Sequence, residues 1–263
     1  MTDRVELPLS GASFGADPSF VELLKRHRPE ALPATPATGP LEVPTGTTVL
    51  GLRFPDGIVM AGDRRATSGY TIADAKMRKV FAADDFSAIA IAGAAGQAVE
   101  TVRLFQLELE HYEKLTGDRL SLEGKANRLA QMIRANFPLA MQGLVVVPLF
   151  GGFDRTRNEG RLFFYDATGG RWEEQDYQAT GSGAQPAKNS LKKRWHQGLN
   201  HDEALRVAVE ALIDAAEDDV ATGGPDLARG ILPVVMTVTS EGATEATDED
   251  VTNAVREVLG ARP

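Results

Sequence analysis

Thr47-Thr48-Val49-Leu50-Gly51-Leu52-Arg53-Phe54-Pro55-Asp56-Gly57-Ile58-Val59-Met60-Ala61-Gly62-Asp63 is the stretch that decides the fold. Its first eight residues are β-prone. Pro55-Asp56-Gly57 is a turn signal, and a second β-prone run follows at once, so the segment reads as a hairpin. The second run is apolar at consecutive positions, Ile58 through Ala61, not at alternate ones. Both faces of that strand therefore meet apolar surroundings, and the sheet is expected to be covered on both sides.

Working outward, further strands are expected over 79–83, 87–92, 144–153, 160–166 and 231–238. Between them lie helical stretches. The first, 97–115, brings Val99, Val102, Phe105 and Leu109 close to helical spacing. A second, 121–137, stops before Pro138, whose ring disfavours continuation. A third and fourth span 184–195 and 202–218, the latter with Ala204, Leu205, Ala208, Val209 and Leu212 along one face. A last helix is expected over 248–259. Runs of strands separated by runs of two helices indicate an α+β chain, not one wound from βαβ units. The simplest arrangement is a four-layer αββα sandwich: two packed antiparallel sheets with helical pairs outside.

The texture before Thr47 is different. Residues 1–46 hold seven of the 14 prolines, and residues 31–44 are too proline-rich for helix or ladder. They read as an extended linker. Ahead of it, Ser19 could cap one or two helical turns over 19–25. By composition alone the segment reads as a tail of no consequence, and otherwise as a detachable leader, with a single domain after it.

Composition narrows the chemistry. A net charge of −9, with no basic cluster beyond Lys192-Lys193-Arg194, disfavours nucleic acid as a partner. Apolar runs such as 144–150 are far too short to cross a bilayer. The first residues lack a basic patch followed by an apolar block, so no secretory signal is expected and a cytoplasmic location is. There are no cysteines, which removes thiolate nucleophiles and thiolate metal sites. The four histidines, His27, His111, His196 and His201, form no metal-ligand spacing, and no metal or cofactor is expected. Hydrolytic chemistry here would have to work without cysteine or histidine.

Threonine offers a route. Gly46 before Thr47 leaves a sterically open carbonyl. Were Thr47 to become a chain terminus, its α-amine, with an ordinary pKa of about 7.7–8.0, could serve as general base to its own hydroxyl. One residue would then supply nucleophile and base. Read alone, Thr47 simply opens a strand, as threonine often does. Asp63 ends the hairpin beside Arg64 and Arg65. Lys79 enters a strand, where burial without a partner would be costly; paired with Asp63 it would put positive charge near Thr47. Each is equally readable as a charged turn. Gly93, in Ile91-Ala92-Gly93-Ala94-Ala95-Gly96, joins strand to helix, where backbone N–H groups can hold an oxyanion. Gly181-Ser182-Gly183 opens another helix. Glu217, Asp218 and Asp219 close one, against the helix dipole; taken alone they read as a solvated helix end, and otherwise at least one of them has another task.

Taken in order, Gly46-Thr47-Thr48, Gly62-Asp63-Arg64-Arg65-Ala66-Thr67, Lys79, Ala92-Gly93, Gly181-Ser182-Gly183 and Asp219 through Gly224 resemble the β-subunits of the proteasome core particle, actinobacterial type. The resemblance covers most of the chain after Gly46. It implies an N-terminal-nucleophile hydrolase fold and a threonine endopeptidase. Residues 1–46 would be a propeptide and 47–263 the catalytic domain, after self-cleavage between Gly46 and Thr47. Thr47 would be the nucleophile, Asp63 and Lys79 its charge network, and the Gly93 N–H the oxyanion hole. Ser182, Asp219 and Thr222 would support the terminal amine and a water; the family usually has serine at the position of Thr222. Thr67 and Ala95 would pair with substrate backbone. Ala66, Met77, Phe81, Ile91 and Ala95 would line the specificity pocket, whose apolar or small character implies cleavage after apolar residues. The resemblance further implies stacked seven-membered β-rings capped by seven-membered α-rings. Polypeptides tagged by a small protein modifier would be delivered by a ring-shaped ATPase acting through the α-ring. Two other readings share features: another N-terminal-nucleophile hydrolase, such as an amidase or a simpler two-ring protease, and a catalytically silent structural β-subunit. The joint presence of Thr47, Asp63 and Lys79 speaks against the silent one.

Overall fold

A computed structural model describes residues 46–262. The helical turn expected over 19–25 and the linker over 31–44 lie outside the described residues.

Two five-stranded antiparallel sheets form the centre. The first hairpin is β1 (Thr48–Phe54) and β2 (Gly57–Gly62), followed by a short hairpin, β3 (Ala66–Ser68) and β4 (Thr71–Asp74). Next come β5 (Val80–Asp84) and β6 (Ser87–Gly93), then helices α1 (Ala95–Thr116), α2 (Leu122–Ala135) and the one-turn α3 (Phe137–Ala140). Strands β7 (Val146–Asp154), β8 (Glu159–Tyr165), β9 (Arg171–Glu174) and β10 (Tyr177–Gly181) lead into α4 (Ala184–Arg194) and α5 (His201–Asp218). The chain ends with β11 (Val234–Thr239), β12 (Gly242–Glu245) and α6 (Asp248–Gly260). The first sheet has the order β10-β1-β2-β11-β12 and the second β5-β6-β7-β8-β9.

The side-chain alternation of β1 and β2 builds the layers. Ile58 and Met60 join Val49, Val80, Ala90, Leu149, Leu162, Val234 and Val238 in a core between the two sheets. Their neighbours Val59 and Ala61 turn the other way, with Leu50 and Leu52, onto Leu191, Leu205, Ala208 and Leu212 of α4 and α5. Successive strand residues point to opposite faces, so a strand with apolar residues at every position has to lie between two apolar layers. The outer face of the second sheet carries Ile89, Ile91, Phe150, Phe163 and Tyr165 against Val102, Phe105, Leu129 and Ile133 of α1 and α2. Three cores thus separate four layers, the αββα sandwich expected from the sequence. Helix α6 adds Val251, Val255 and Val258 to the core beneath α5.

The expected elements appear with small shifts. The strand expected from 144 starts at Val146, and the helix expected over 121–137 ends at Ala135 before the separate turn of α3. Strands β3, β4, β9, β10 and β12 were not foreseen. All are five residues or shorter. β9, β10 and β12 are sheet edges paired on one side only, while β3 and β4 pair with each other. A short edge strand needs little apolar pattern, so it leaves little trace in sequence. Among the described residues, no helix is long and apolar enough to cross a membrane.

Phe150 anchors the helix-covered side of the second sheet. It is fully buried, meets Phe105 edge-on at 5.6 Å and stacks on Phe163 at 6.1 Å. Truncation to alanine removes these contacts and leaves a void. Phe150→Ala is expected to cost about 3–5 kcal/mol, read by urea denaturation against the unaltered chain.

Candidate active site

The start of β1 places two neighbouring threonines on opposite faces. Val49 belongs to the core between the sheets and Leu50 to the core under the helices. Extending that alternation backwards puts the Thr47 side chain on the inter-sheet side and Thr48 on the helix side. Thr47 precedes the strand, but the Ser182 N–H donates to its carbonyl at 2.9 Å, which continues the pairing past β10. Thr47 is only 4% exposed, and its Oγ1 donates to the Gly46 carbonyl at 2.6 Å. Gly46 is packed so closely that a Cβ there would stand 2.1 Å from Thr67 Oγ1 and 2.7 Å from the Ala221 Cβ. No larger residue fits unless Thr67 and the 219–224 loop move.

Asp63, one residue past β2, is the organising charge. Its Oδ1 accepts from the Thr48 N–H at 2.9 Å and from Lys79 Nζ at 2.6 Å. Its Oδ2 accepts from the N–H groups of Arg65 at 2.9 Å and Gly223 at 2.8 Å. Four donors saturate the carboxylate. Lys79 Nζ also donates to the Arg65 carbonyl at 2.5 Å, and both members of the pair have fully buried side chains. Burial holds the Lys79 ammonium below its ordinary pKa, and the Asp63 charge and hydrogen bond oppose that shift without reversing it. The result is a cation easier to deprotonate than a surface lysine, held in one place.

A second cluster sits at the end of α5. Asp219 Oδ2 accepts from Ser182 Oγ and from Thr222 Oγ1, each at 2.6 Å, and its Oδ1 accepts from the Ala221 N–H at 3.2 Å. Burial pushes this carboxyl up. The hydroxyls of Ser182 and Thr222 and the backbone N–H groups after it outweigh burial, and the carboxyl lies below its usual range. The acid that opposed the helix dipole is thus stabilised by its own loop and by Ser182.

Gly93 closes β6 at φ +117°, a left-handed conformation, with the Val145 carbonyl 2.1 Å from where a Cβ would be. Only glycine suits both conditions. The Ile91 N–H donates to the Lys79 carbonyl, so Gly93 lies at the same end of the second sheet as Lys79. Ala66 is buried at the start of β3, Met77 half-buried before β5, and Ala95 half-buried at the first turn of α1. Phe81 packs at the margin of the α1–α2 core, and Ile91 lies inside it at 2% exposure. Of the five apolar positions, Ile91 is the one most fully committed to packing.

Thr48, Arg65, Gly183 and Gly223 also belong to this constellation; they fall within the quoted motifs but carry no role there. Three of them contribute through backbone groups, which leave no residue-type signal. Thr48 had one, as the second member of a threonine pair, because its alternation with Thr47 directs it into the other cluster.

Comparison with known proteins adds the family. The model of the proteasome subunit family matches residues 43–226. A protein of Streptomyces griseus described as proteasome subunit beta is 54% identical over 248 residues, covering 93% of this chain and 88% of that one. One of Acidimicrobium ferrooxidans with the same description is 52% identical over 268 residues, covering 98% and 97%.

Two outcomes follow from the electrostatics. Asp63→Asn leaves the Lys79 ammonium buried without a counter-charge and is expected to cost about 3–5 kcal/mol in denaturant unfolding; adding Lys79→Met should recover part of the loss. Asp219 is depressed in the folded chain, so its contribution to stability is full above the ordinary carboxylate range. It is lost as pH falls through the folded value. Asp219→Asn should flatten the acid side of the stability profile, measured by thermal unfolding across pH 2–6, where these carboxyls titrate.

Proposed function

Since the chain belongs to the proteasome subunit family, as a β-subunit of the core particle, we propose that it is an active threonine endopeptidase whose nucleophile is Thr47, freed when residues 1–46 are removed. The observation that carries this reading is the buried Lys79–Asp63 pair, whose Asp63 Oδ1 also takes the N–H of the residue next to Thr47. A fully buried ion pair is a costly way to gain stability. Its place beside a threonine that follows a tightly packed glycine gives it a chemical purpose.

In the proposed mechanism, cleavage after Gly46 creates the α-amine of Thr47. The amine takes the proton from Thr47 Oγ1 as that oxygen attacks the scissile carbonyl carbon. The Lys79 ammonium favours the neutral amine and stabilises the developing alkoxide, and Asp63 fixes its position. The Gly93 N–H holds the oxyanion. The amine then passes its proton to the leaving nitrogen. An ester on Thr47 remains, and a water activated by the same amine hydrolyses it. Ser182, Asp219 and Thr222 hold the amine and that water. In leader removal Thr47 Oγ1 attacks the Gly46 carbonyl carbon while the Thr47 nitrogen is still an amide, so a water takes the hydroxyl proton; the C–N bond breaks as a proton passes to that nitrogen, and a second water hydrolyses the Gly46 ester left on Thr47 Oγ1. The Thr47 hydroxyl already donates to the oxygen of that carbonyl, which supports the intramolecular route.

The family supports the remaining proposals. Copies of this chain form seven-membered β-rings that stack and are capped by seven-membered α-rings in the cytoplasm. A ring-shaped ATPase delivers polypeptides tagged by a small protein modifier. Thr67 and Ala95 pair with the substrate backbone as an added strand. Ala66, Met77, Phe81, Ile91 and Ala95 set a preference for apolar residues before the cut.

The mass of the assembled subunit tests the central claim. It should correspond to a chain beginning at Thr47; a subunit that keeps its leader after assembly with α-subunits would overturn the reading. Thr47→Ala should keep residues 1–46 and lose all peptidase activity while assembling, whereas Thr47→Ser should keep part of both. Gly46→Ala should slow leader removal at least tenfold, because the added methyl must displace Thr67 and the 219–224 loop; a time course by gel or mass spectrometry reads the rate. On fluorogenic peptides, apolar residues before the cut should give the highest kcat/KM, and a profile led by acidic or basic residues would refute the pocket assignment.

A further inference from the structure

Thr48 has no part in the proposed mechanism, yet it touches both charged clusters. Its N–H donates to Asp63 Oδ1 at 2.9 Å, and its carbonyl accepts from the Asp63 N–H at 3.2 Å. Its hydroxyl lies 2.6 Å from Thr222 Oγ1 and accepts from the Gly183 N–H at 2.9 Å. Thr48 and Thr222 are both fully buried. Gly183 leaves the room for this meeting: a Cβ there would stand 2.6 Å from Thr222 Oγ1 and 2.7 Å from Thr48 Oγ1.

The direction of each hydrogen bond can be assigned by elimination. The ionised Asp219 carboxylate only accepts, so Ser182 Oγ and Thr222 Oγ1 both spend their single proton on it. Thr222 has no second proton, so in its bond with Thr48 it must accept. The Thr48 proton is then committed to Thr222, and its oxygen is free to take the Gly183 N–H. The order of donation is Gly183 to Thr48 to Thr222 to Asp219, all one way.

That order matters for an amine next to the cluster. With their protons committed to Asp219, Ser182 and Thr222 can offer only lone pairs. They can accept N–H bonds from a Thr47 amine but cannot donate to its lone pair. The lone pair is then left for the Thr47 hydroxyl, which is what a general base requires. Donation from Thr48 also polarises Thr222 and strengthens its bond to Asp219.

We propose that the Thr48 hydroxyl is a positioning group that fixes the Ser182–Asp219–Thr222 cluster in this single donation direction and so orients the amine of Thr47. The proposal rests on Thr47 acting as nucleophile and base. Through its backbone and its side chain, Thr48 makes one rigid unit of the Asp63–Lys79 pair and the Asp219 cluster.

Thr48→Val tests it in the full chain, assembled with α-subunits. Valine keeps the shape and the N–H to Asp63 and removes only the hydroxyl; Thr48→Ser restores the hydroxyl. Two readouts are needed. The first is the kcat and KM for a fluorogenic peptide with an apolar residue before the cut, per active site titrated with a covalent inhibitor. The second is the titration of the Asp219 carboxyl by carbon NMR with labelled aspartate, assigned with Asp219→Asn. Thr48→Val should lower kcat on the order of tenfold with KM little changed, and Thr48→Ser should recover most of it. The Asp219 titration should move to higher pH in Thr48→Val and return in Thr48→Ser. An unmoved titration would overturn the proposal, as would an unchanged kcat per titrated site. A valine variant that merely yields less folded protein would leave kcat per site unaltered and so also count against it. If the unaltered assembly has no peptidase activity while the titration still responds to Thr48, the protease reading fails and only the Thr48–Asp219 coupling stands.

Discussion

A lysine ammonium and an aspartate carboxylate, both without solvent access, meet at 2.6 Å where the two sheets come together. Neither can be buried alone, because desolvation of an unpaired charge costs several kcal/mol, about as much as the net stability of many domains. Each therefore dictates the position of the other. Lys79 enters the second sheet and Asp63 leaves the first, so their contact fixes how those sheet ends meet. The remaining Asp63 bonds reach the Thr48, Arg65 and Gly223 N–H groups, which ties the start of β1, the β2–β3 link and the 219–224 loop to one carboxylate.

Around that pair, the front of β1 divides the work between its two faces. Thr47 looks into the space between the sheets. Thr48 looks toward the helix layer and meets Thr222 and Gly183. A strand provides this division without further design, because successive residues alternate. The two clusters differ in electrostatic character. In one, the burial of a cation is balanced by a carboxylate saturated with donors. In the other, a carboxyl is held ionised by hydroxyls and backbone N–H groups against the unfavourable end of a helix. A tightly packed glycine precedes Thr47, and its lack of a side chain is what lets the 219–224 loop and Thr67 close over the junction.

The sequence alone determined the layers. Consecutive apolar residues from Ile58 to Ala61 require apolar cover on both faces of β2, and the 3.6-residue spacing of the long helices supplies that cover. These are local periodicities, which survive in a linear reading. The grouping of Lys79 with Asp63, and of Ser182 and Thr222 with Asp219, was also legible, though only through the order and spacing of the motifs taken together. Read singly, each was an ordinary strand start, charged turn or helix end. The short strands β9, β10 and β12 left no such trace, since an edge strand of four or five residues is held by backbone bonds to a neighbour far away in sequence.

Which groups meet is settled by the folded arrangement. Thr48 lies 174 positions from Thr222 and Asp63 lies 160 from Gly223 along the chain, and three of the four donors to Asp63 are backbone N–H groups whose residue type is irrelevant. Burial of the Lys79–Asp63 pair was equally undecided, because Lys76-Met77-Arg78-Lys79 reads as well as an exposed basic turn. It is a buried cation because its ammonium reaches the Asp63 carboxylate and the Arg65 carbonyl, while Lys76 stays exposed and Arg78 only half-buried. Hydrogen-bond direction in the Asp219 cluster is a property of the assembled set. A hydroxyl has one proton to give, and where it goes is settled by its neighbours in space and not by those in sequence.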